Sequence, residues 1–309
     1  DDDLVMNSIT ETHNIAFNRI ETFIPDTKVR LPDFVVPAGF TDAEALVNYA
    51  LEGLRERGLH ENEEYTTRLQ QELDVIEDRG FSKYFLTMKA IADKANEVQL
   101  TGPGRGSAAG SLAAYVLGIT QIDPIKYGLL FERFLRKDAT DYPDIDYDVA
   151  EPMQLKEMLM EDWGKNSVIP ISNWNTLQLK SLIKDISKFY GVEFGEVNKV
   201  TSTMIAEATP AAKMKHGIKA GVYAPTWQEV MELSPSLRGY LIKYPDIKTH
   251  VEALVGQVRS CSRHAGGVLI ADDLNEHMPI ISSGGVRQAP WAEGQNVRHL
   301  EPLGFIKFD

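Results

Sequence analysis

The sequence contains a single cysteine, Cys261, among its 309 residues. One thiol excludes a disulfide framework and a cysteine-based zinc site, and a reducing cytoplasm is the expected compartment. No apolar run reaches the roughly 18 residues that a membrane span requires. The first residues, DDDLVMNSIT, carry neither a basic stretch nor an apolar core, so no signal peptide is expected.

Positive charges are outnumbered, because 32 lysines and arginines stand against 45 aspartates and glutamates, which gives a formal net charge of −13. Taken over the whole chain, this charge argues against binding to nucleic acid. The segment from Leu155 to Arg259 nevertheless holds thirteen basic and eleven acidic residues, so the rest of the chain carries −15. A mildly basic insert in an acidic body fits an enzyme that contacts a polyanion on one face, and on charge alone it fits chance equally well.

Apolar periodicity and capping patterns predict several helices. Thr41 and Glu44 form a capping-box pattern that opens a helix ending at Gly58. Further helices are predicted over Ile9–Ile20, Glu61–Arg79, Phe81–Asn96, Leu112–Leu117 and Gln178–Tyr190. In the last of these, the side chains predicted to face inward are Leu179, Leu182, Ile183, Ile186, Phe189 and Tyr190. Strand candidates are Val98–Thr101, Ile145–Val149, Val268–Ala271 and Phe305–Phe308. This order indicates an α+β core interrupted by a helical insertion.

The segment Pro143–Asp148 alternates aspartates with apolar or aromatic residues. On a strand, Asp144, Asp146 and Asp148 would share one face, where each carboxylate disfavours the ionisation of its neighbours. Cations among them would relieve that repulsion, and hard oxygen ligands suit Mg²⁺. The alternative is a solvated acidic edge strand or turn.

A glycine-rich turn, Gly102–Ser111, runs directly into a helix. Glycines let a ligand approach the backbone closely, and a helix N-terminus offers N–H groups to an anion. Arg105, Ser107 and Ser111 add donors that suit phosphate oxygens. The turn matches neither the P-loop nor the dinucleotide fingerprint. The alternative is a tight connection that needs small residues for packing.

Three further patterns are weaker. Arg133 lies between aromatic residues in Leu130–Leu135. It is either a cation aimed at a triphosphate or simply the partner of a neighbouring glutamate. His264 precedes two glycines in His264–Val268, where a single histidine is usually structural. The alternation in Gly304–Asp309 puts Lys307 and Asp309 on one strand face. This face could belong to an active site, or it could be an ordinary exposed edge.

Five of these segments, in this order, resemble the palm motifs of the C family of replicative DNA polymerases, the bacterial DNA polymerase III alpha family. They are Gly102–Ser111, Leu130–Leu135, Pro143–Asp148, His264–Val268 and Ile306–Asp309. The likeness covers nearly the whole chain and is weakest in the thumb. There, Ser172–Thr176 departs from the usual pattern, which puts the detailed DNA contacts in doubt.

The resemblance implies a polymerase-beta-like nucleotidyltransferase palm with an inserted, mostly helical thumb. Residues 1–152, with the N-terminal helices, and 256–309 would form the two parts of the palm, and 153–255 the thumb. The catalytic, metal-binding residues of the family match Asp144, Asp146 and Asp309, and Asp148 falls outside that trio. The implied cofactor is a pair of Mg²⁺ ions, with Mn²⁺ as a substitute.

The same resemblance assigns a nucleotide pocket. Gly106 and Ser107 match the motif beside the incoming triphosphate, and Arg105, Arg133 and Lys307 match basic positions of that pocket. In the thumb, Lys180, Lys184 and Lys188 recur every fourth residue and form one stripe along a helix. Such a stripe can follow a DNA backbone or can be an ordinary solvated face.

The expected function is template-directed DNA synthesis, with primer–template DNA and deoxynucleoside triphosphates as partners and no membrane association. The family's PHP domain and fingers have no counterpart here. The chain is therefore expected to be a fragment or half of a split polymerase, inefficient without fingers in the same or a separate chain. A sliding clamp and other replisome proteins would bind through absent regions. The alternatives are a template-independent nucleotidyltransferase and a non-catalytic subunit that binds DNA or a replisome partner.

Overall fold

The structure, a computed structural model, describes residues 2–21, 25–294 and 297–309. Within these ranges the helices are α1 (Asp2–Asn14), α2 (Asp42–Glu56), α3 (Glu63–Asp78), α4 (Ser82–Val98), α5 (Leu112–Val116), α6 (Pro152–Trp163), α7 (Leu179–Phe189), α8 (Phe194–Lys215), α9 (Trp227–Leu233), α10 (Pro235–Lys243), α11 (Pro245–Leu254) and α12 (Leu274–His277). The strands are β1 (Val168–Thr176), β2 (Val258–Ile270), β3 (Ile281–Ser283), β4 (Val286–Gln288), β5 (Glu293–Gly294), β6 (Val297–Arg298) and β7 (Lys307–Phe308). Mixed helix and sheet agree with the α+β class. None of the helices in the described ranges is long and apolar enough to cross a membrane.

Local capping sets the limits of the first long helices. At the start of α2, Thr41 Oγ1 accepts a hydrogen bond from the Glu44 N–H, and the Glu44 carboxylate accepts one from the Thr41 N–H. This confirms the predicted capping box. The chain leaves α2 through Gly58 (φ +68°) and α3 through Gly80 (φ +72°), conformations that favour glycine.

Strands β1, β2 and β7 form a three-stranded sheet in the order β1-β2-β7. Strands β2 and β7 are antiparallel, with Val268 opposite Phe308 and Leu269 opposite Lys307. Because side chains alternate along a strand, the two faces join different clusters. Val268 and Phe308 pack into the core formed with α2–α5, whereas Leu269 packs into a smaller cluster with Ile169 and Leu274. The sheet thus carries Asp309 at the end of a strand that is buried at Phe308.

The chain divides into two compact units. The first comprises the chain up to Ile171 together with His264–Asp309, and the second is Ser172–Arg263. The boundaries fall within β1 and β2. The second unit has its own buried cluster, which includes Leu182, Met204, Leu237 and Val251. The palm and thumb limits drawn from the sequence stay predictions.

Four expectations need correction. The segment Ile145–Val149 is not a ladder strand: Val149 forms an isolated bridge with Thr101, and Val98 still belongs to α4. The stretch Ile9–Ile20 is mostly helical, but α1 begins at Asp2 and a π-helical turn follows over Ile15–Arg19.

In α7, Leu182, Ile183 and Ile186 are buried as predicted, whereas Phe189 is 83% exposed and Tyr190 is 40% exposed. The helix ends at Phe189, and these two rings pack against each other edge-on. The prediction that they face inward was wrong.

Candidate active site

Alternation along an extended segment places Asp144 and Asp146 beside each other. Between them Ile145 is buried, and its N–H donates a hydrogen bond to the Tyr84 hydroxyl over 3.3 Å. The Tyr84 ring stacks on Phe308, with 5.4 Å between centroids. Burial of Ile145 therefore fixes the segment, and the aspartates on either side of it are not buried.

Asp309 reaches the same place from the far end of the sequence. It follows β7, and its carbonyl oxygen accepts a hydrogen bond from the Tyr147 N–H over 3.1 Å. One carboxylate oxygen from each of Asp144, Asp146 and Asp309 lies within 4.8 Å of the others. The fold thus brings together the three residues that the resemblance singles out.

The cluster is negatively charged with one lysine against it. Burial raises the pKa of Asp144, the neighbouring carboxylates of Asp146 and Asp309 raise it further, and Lys307 opposes them. The Lys307 ammonium lies 2.5 Å from one Asp309 oxygen. One ammonium does not balance three carboxylates, so a bound cation would stabilise the ionised cluster.

The second oxygen of Asp309, Oδ1, is buried and accepts no hydrogen bond from the described residues. Nδ1 of His264 lies 4.0 Å from this oxygen and already accepts a hydrogen bond from the Gly267 N–H over 2.7 Å. A buried carboxylate oxygen without a donor is costly. Together with two more carboxylates it fits a hard divalent cation such as Mg²⁺.

His264 and Lys156 line a cavity with Asp146 and Asp309; the family resemblance included the segment of His264, whereas the sequence did not single out Lys156. Burial lowers the pKa of His264, with Lys307 and Lys156 acting in the same direction and Asp309 against them. The Lys156 ammonium is largely buried and donates to the carbonyl oxygens of Ala265 and His264, over 3.0 and 3.5 Å. A lysine next to Leu155 on an otherwise apolar helix face was the available signal.

Two cavities adjoin the cluster. One, of about 310 Å³, is lined by Arg105, Asp146, Lys156 and Asp309, with apolar walls that include Met88. The other, of about 430 Å³, is more polar and is lined by Asp144, Arg298 and Lys307. Cations therefore border both cavities beside the carboxylates.

The glycine-rich turn lies against Asp148 rather than against the cluster. The Gly102 N–H donates to the Asp148 carbonyl over 2.8 Å, and a Cβ at Gly102 would come within 2.8 Å of the Asp148 Cβ. Arg105 binds the Asp148 carboxylate over 3.0 Å. Asp148 is thus paired with Arg105, and the metal-ligand cluster among the described residues does not include it.

The remaining predicted residues are not among those that line the two cavities. Gly106 (φ +58°), Ser107 and Arg133 are exposed and line neither cavity. In the second unit, Lys180 and Lys188 are exposed on α7. Lys184 instead donates to Asn198 over 2.8 Å and lies over the Phe194 ring.

Comparison with known proteins gives a consistent result. Residues 44–309 match the family described as the bacterial DNA polymerase III alpha NTPase domain. The chain is 34% identical over 289 residues to DNA polymerase III subunit alpha of Bacillus subtilis, which covers 91% of this chain and 24% of that protein. It is 33% identical to the same subunit of Mycobacterium tuberculosis over 319 residues, covering 100% of this chain and 26% of that protein. It is also 33% identical to this subunit of Aquifex aeolicus over 299 residues, which covers 90% of this chain and 25% of that protein. The chain spans about a quarter of the length of these relatives.

Proposed function

The chain belongs to the bacterial DNA polymerase III alpha family, and on that premise we propose that it carries the catalytic centre of a DNA-directed DNA polymerase. The observation that carries this proposal is the convergence of Asp144, Asp146 and Asp309, whose carboxylate oxygens lie within 4.8 Å of one another. The finer fold, a polymerase-beta-like palm with an inserted thumb, is part of the proposal. In it, the first compact unit corresponds to the palm and the second to the thumb.

The proposed reaction is nucleotidyl transfer. The primer 3′-hydroxyl attacks the α-phosphate of a deoxynucleoside triphosphate, a new P–O bond forms, and the bond to the β-phosphate breaks to release pyrophosphate. Two Mg²⁺ ions, when bound, would supply activation of the hydroxyl and stabilisation of the leaving group. Asp144 and Asp146 would hold both ions, and Asp309 would help to hold the one near the hydroxyl.

The basic residues would bind and orient the triphosphate. Arg105 lines one cavity with Asp146 and Asp309, and Lys307 lines the other with Asp144. Their positions next to the carboxylates support a role for both in phosphate binding. Gly106, Ser107 and Arg133 are exposed on the two segments that the family resemblance assigns to the same pocket, and an incoming nucleotide would have to reach them.

Primer–template DNA is the second proposed substrate. The exposed ammonium groups of Lys180 and Lys188 on α7 support a backbone contact in the second unit. Lys184 is a weaker candidate because Asn198 and Phe194 already engage it. A fingers region, in the same or a separate chain, is a proposed further requirement for efficient synthesis.

Asp144→Asn and Asp146→Asn test the proposal. In the polymerase that contains this chain, we expect each to lower nucleotide incorporation by about three orders of magnitude or more, because each removes a charged ligand from a two-metal site. Thermal stability should be kept or raised, since fewer carboxylates repel one another. Asp148→Asn is the matched control in the same segment and should be much milder.

A non-catalytic subunit that binds DNA remains the contrasting function. It predicts no carboxylate-dependent Mn²⁺ site, so calorimetric titration of wild type and Asp144→Asn separates the two. Incorporation by both aspartate variants within about tenfold of wild type would exclude the proposed catalytic centre.

A further inference from the structure

Helix α3 carries an ion pair that no part of the proposed chemistry uses. Arg68 and Glu72 are one turn apart, with Arg68 Nε 2.6 Å from Glu72 Oε1. Glu72 is fully buried on the apolar stripe between Leu69 and Ile76. A buried carboxylate is costly unless several donors satisfy it, so its other partners indicate what it holds.

The second oxygen of Glu72 binds the end of the glycine-rich turn. It accepts hydrogen bonds from the Ser111 hydroxyl over 3.0 Å and from the Ala113 N–H over 2.9 Å. Ser111 Oγ in turn accepts one from the Ala114 N–H over 3.1 Å, which caps α5. The carboxylate thereby fixes the point where the turn becomes a helix.

Arg68 binds the same turn and a second segment. Its Nη2 donates to the carbonyl oxygens of Gly110 and Leu129, over 3.0 and 3.3 Å. These segments touch, since a Cβ at Gly110 would come within 2.8 Å of the Leu130 oxygen. The pair therefore joins the turn that carries Arg105–Ser107 to the residues that lead into Arg133.

We propose that Arg68 and Glu72 are positioning residues of the nucleotide pocket, which hold its two phosphate-binding segments at a fixed separation. This inference rests on the proposed function. Neither side chain contacts the nucleotide. Their effect is to order the backbone of the turn before the triphosphate arrives, so that less ordering remains to be done on binding. Loss of the pair should weaken nucleotide binding more than it slows the chemical step at the carboxylates.

Two substitutions remove different halves of this network. Glu72→Gln keeps the volume and one acceptor, but its amide N–H₂ would face either the Arg68 donor or the Ala113 N–H. Arg68→Lys keeps the charge and loses the planar fork that reaches the carboxylate and both carbonyls. Ile76→Val is the matched control, because Ile76 is fully buried one turn further along the same apolar stripe.

The test measures KM for the nucleotide, kcat and thermal stability in the polymerase that contains this chain. We expect Glu72→Gln and Arg68→Lys to raise KM by about fivefold or more and to change kcat by less than about threefold. Ile76→Val should lower stability and leave KM within about twofold of wild type.

Unchanged KM in both variants, or a loss of kcat that equals the rise in KM, would overturn the positioning role. If Glu72→Gln does not fold, Arg68→Lys decides the question alone. Asp144→Asn, measured in parallel, keeps the two hypotheses apart. Full activity of that variant contradicts the proposed function, whereas an inactive Asp144→Asn with normal KM in the α3 variants contradicts only this inference.

Discussion

Gly267 shows how closely the surroundings of a single carboxylate are packed. A Cβ at this position would lie 3.0 Å from His264 Nδ1 and 3.2 Å from both Asp309 Oδ1 and Ile171 Cδ1. At Gly266 the only such neighbour among the residues that the structure describes is Asp309 Oδ1, at an ordinary 3.6 Å. Neither glycine has a left-handed backbone, so alanine at these positions tests space rather than backbone strain.

We therefore expect Gly267→Ala to displace His264 or the Asp309 carboxylate, and Gly266→Ala to leave both in place. Mn²⁺ affinity of Gly267→Ala should fall by about tenfold, the scale of changes in groups that orient metal ligands. Calorimetric titration of the two variants measures this difference. Equal Mn²⁺ affinities would mean that a methyl group at Gly267 does not disturb the metal-binding position of the Asp309 carboxylate.

The sequence predicted which residues form the site better than it predicted which of them lie next to each other. Asp144 and Asp146 are neighbours on an extended chain, so alternation alone indicates that they share a face. Nothing in the alternation of Gly304–Asp309 places Asp309 beside them, and only the family resemblance did so. The same alternation grouped Asp148 with the other two, whereas the structure pairs it with Arg105.

Helix α9 depends on one carboxylate with an unusually low pKa. Hydrogen bonds from the Thr226 backbone, His216 and Tyr223 lower the pKa of Glu229 to about 2, from an ordinary value of 4.5. A depressed carboxylate pKa stabilises the folded state above the ordinary value, and that contribution is lost as pH falls toward the folded value. Glu229→Gln should therefore lower Tm at pH 6.

The difference in Tm between wild type and Glu229→Gln should shrink between about pH 4.5 and pH 2. Glu232→Gln on the same helix is the control, because Glu232 is exposed and pairs with Lys215 at the surface. Thermal denaturation followed by circular dichroism measures both series. A constant difference across this pH range would show that the hydrogen bonds to Glu229 do not depend on its charge.

The lysines of helix α7 are the proposed contacts to the DNA backbone, and this proposal can be tested by the salt dependence of binding. Lys180 and Lys188 are exposed, and each phosphate contact contributes about 0.9 to the slope of log K against log salt. Replacing both lysines with glutamine should reduce that slope by roughly 1.8. Lys184→Gln alone should have little effect, because Asn198 and Phe194 engage this lysine.

The control for the lysine pair removes the same charge elsewhere in the second unit. Lys243 and Lys248 each pair with a glutamate, over 2.7 and 3.8 Å. Their double glutamine variant should leave the salt slope of primer–template binding nearly unchanged. Equal slopes for the two double variants would mean that α7 presents only a solvated face.

The limits of the helices could be predicted because they are set by local contacts. The pairing of extended segments and the exposure of the last residues of α7 could not. Thr41, Glu44 and Gly58 mark α2 through hydrogen bonds within a few residues. Pairing of the extended segment at Asp144–Val149 depends instead on distant partners such as Thr101 and Asp309. Phe189 continues the apolar period of α7, but the helix ends there and its ring is exposed. The sequence also contained an unused indication of the buried ion pair, because Glu72 is a charged residue on the apolar stripe of α3. Apolar periodicity does not take such a residue into account.

On the scale of the whole molecule, the chain has two compact units with separate buried clusters. All three carboxylates and both adjoining cavities belong to the first unit, and α7 belongs to the second. Each unit offers one buried leucine for comparison. Leu237 is buried in the core of the second unit, and Leu269 is buried in the first, where it lies opposite Lys307 in the sheet. Substituting alanine at either should lower stability by about 2–5 kcal/mol.

The consequences of these two substitutions should nevertheless differ, because only one of the two leucines supports the strand that ends on Asp309. Leu269→Ala should weaken Mn²⁺ binding, since β2 loses packing beneath its pair with Lys307. Leu237→Ala should leave Mn²⁺ binding unchanged and weaken primer–template binding through the loss of order around α7. Mn²⁺ titration and DNA binding at a temperature well below both unfolding transitions give the four values needed. If both variants lost Mn²⁺ and DNA binding to the same extent, metal binding and duplex binding could not be assigned to separate units.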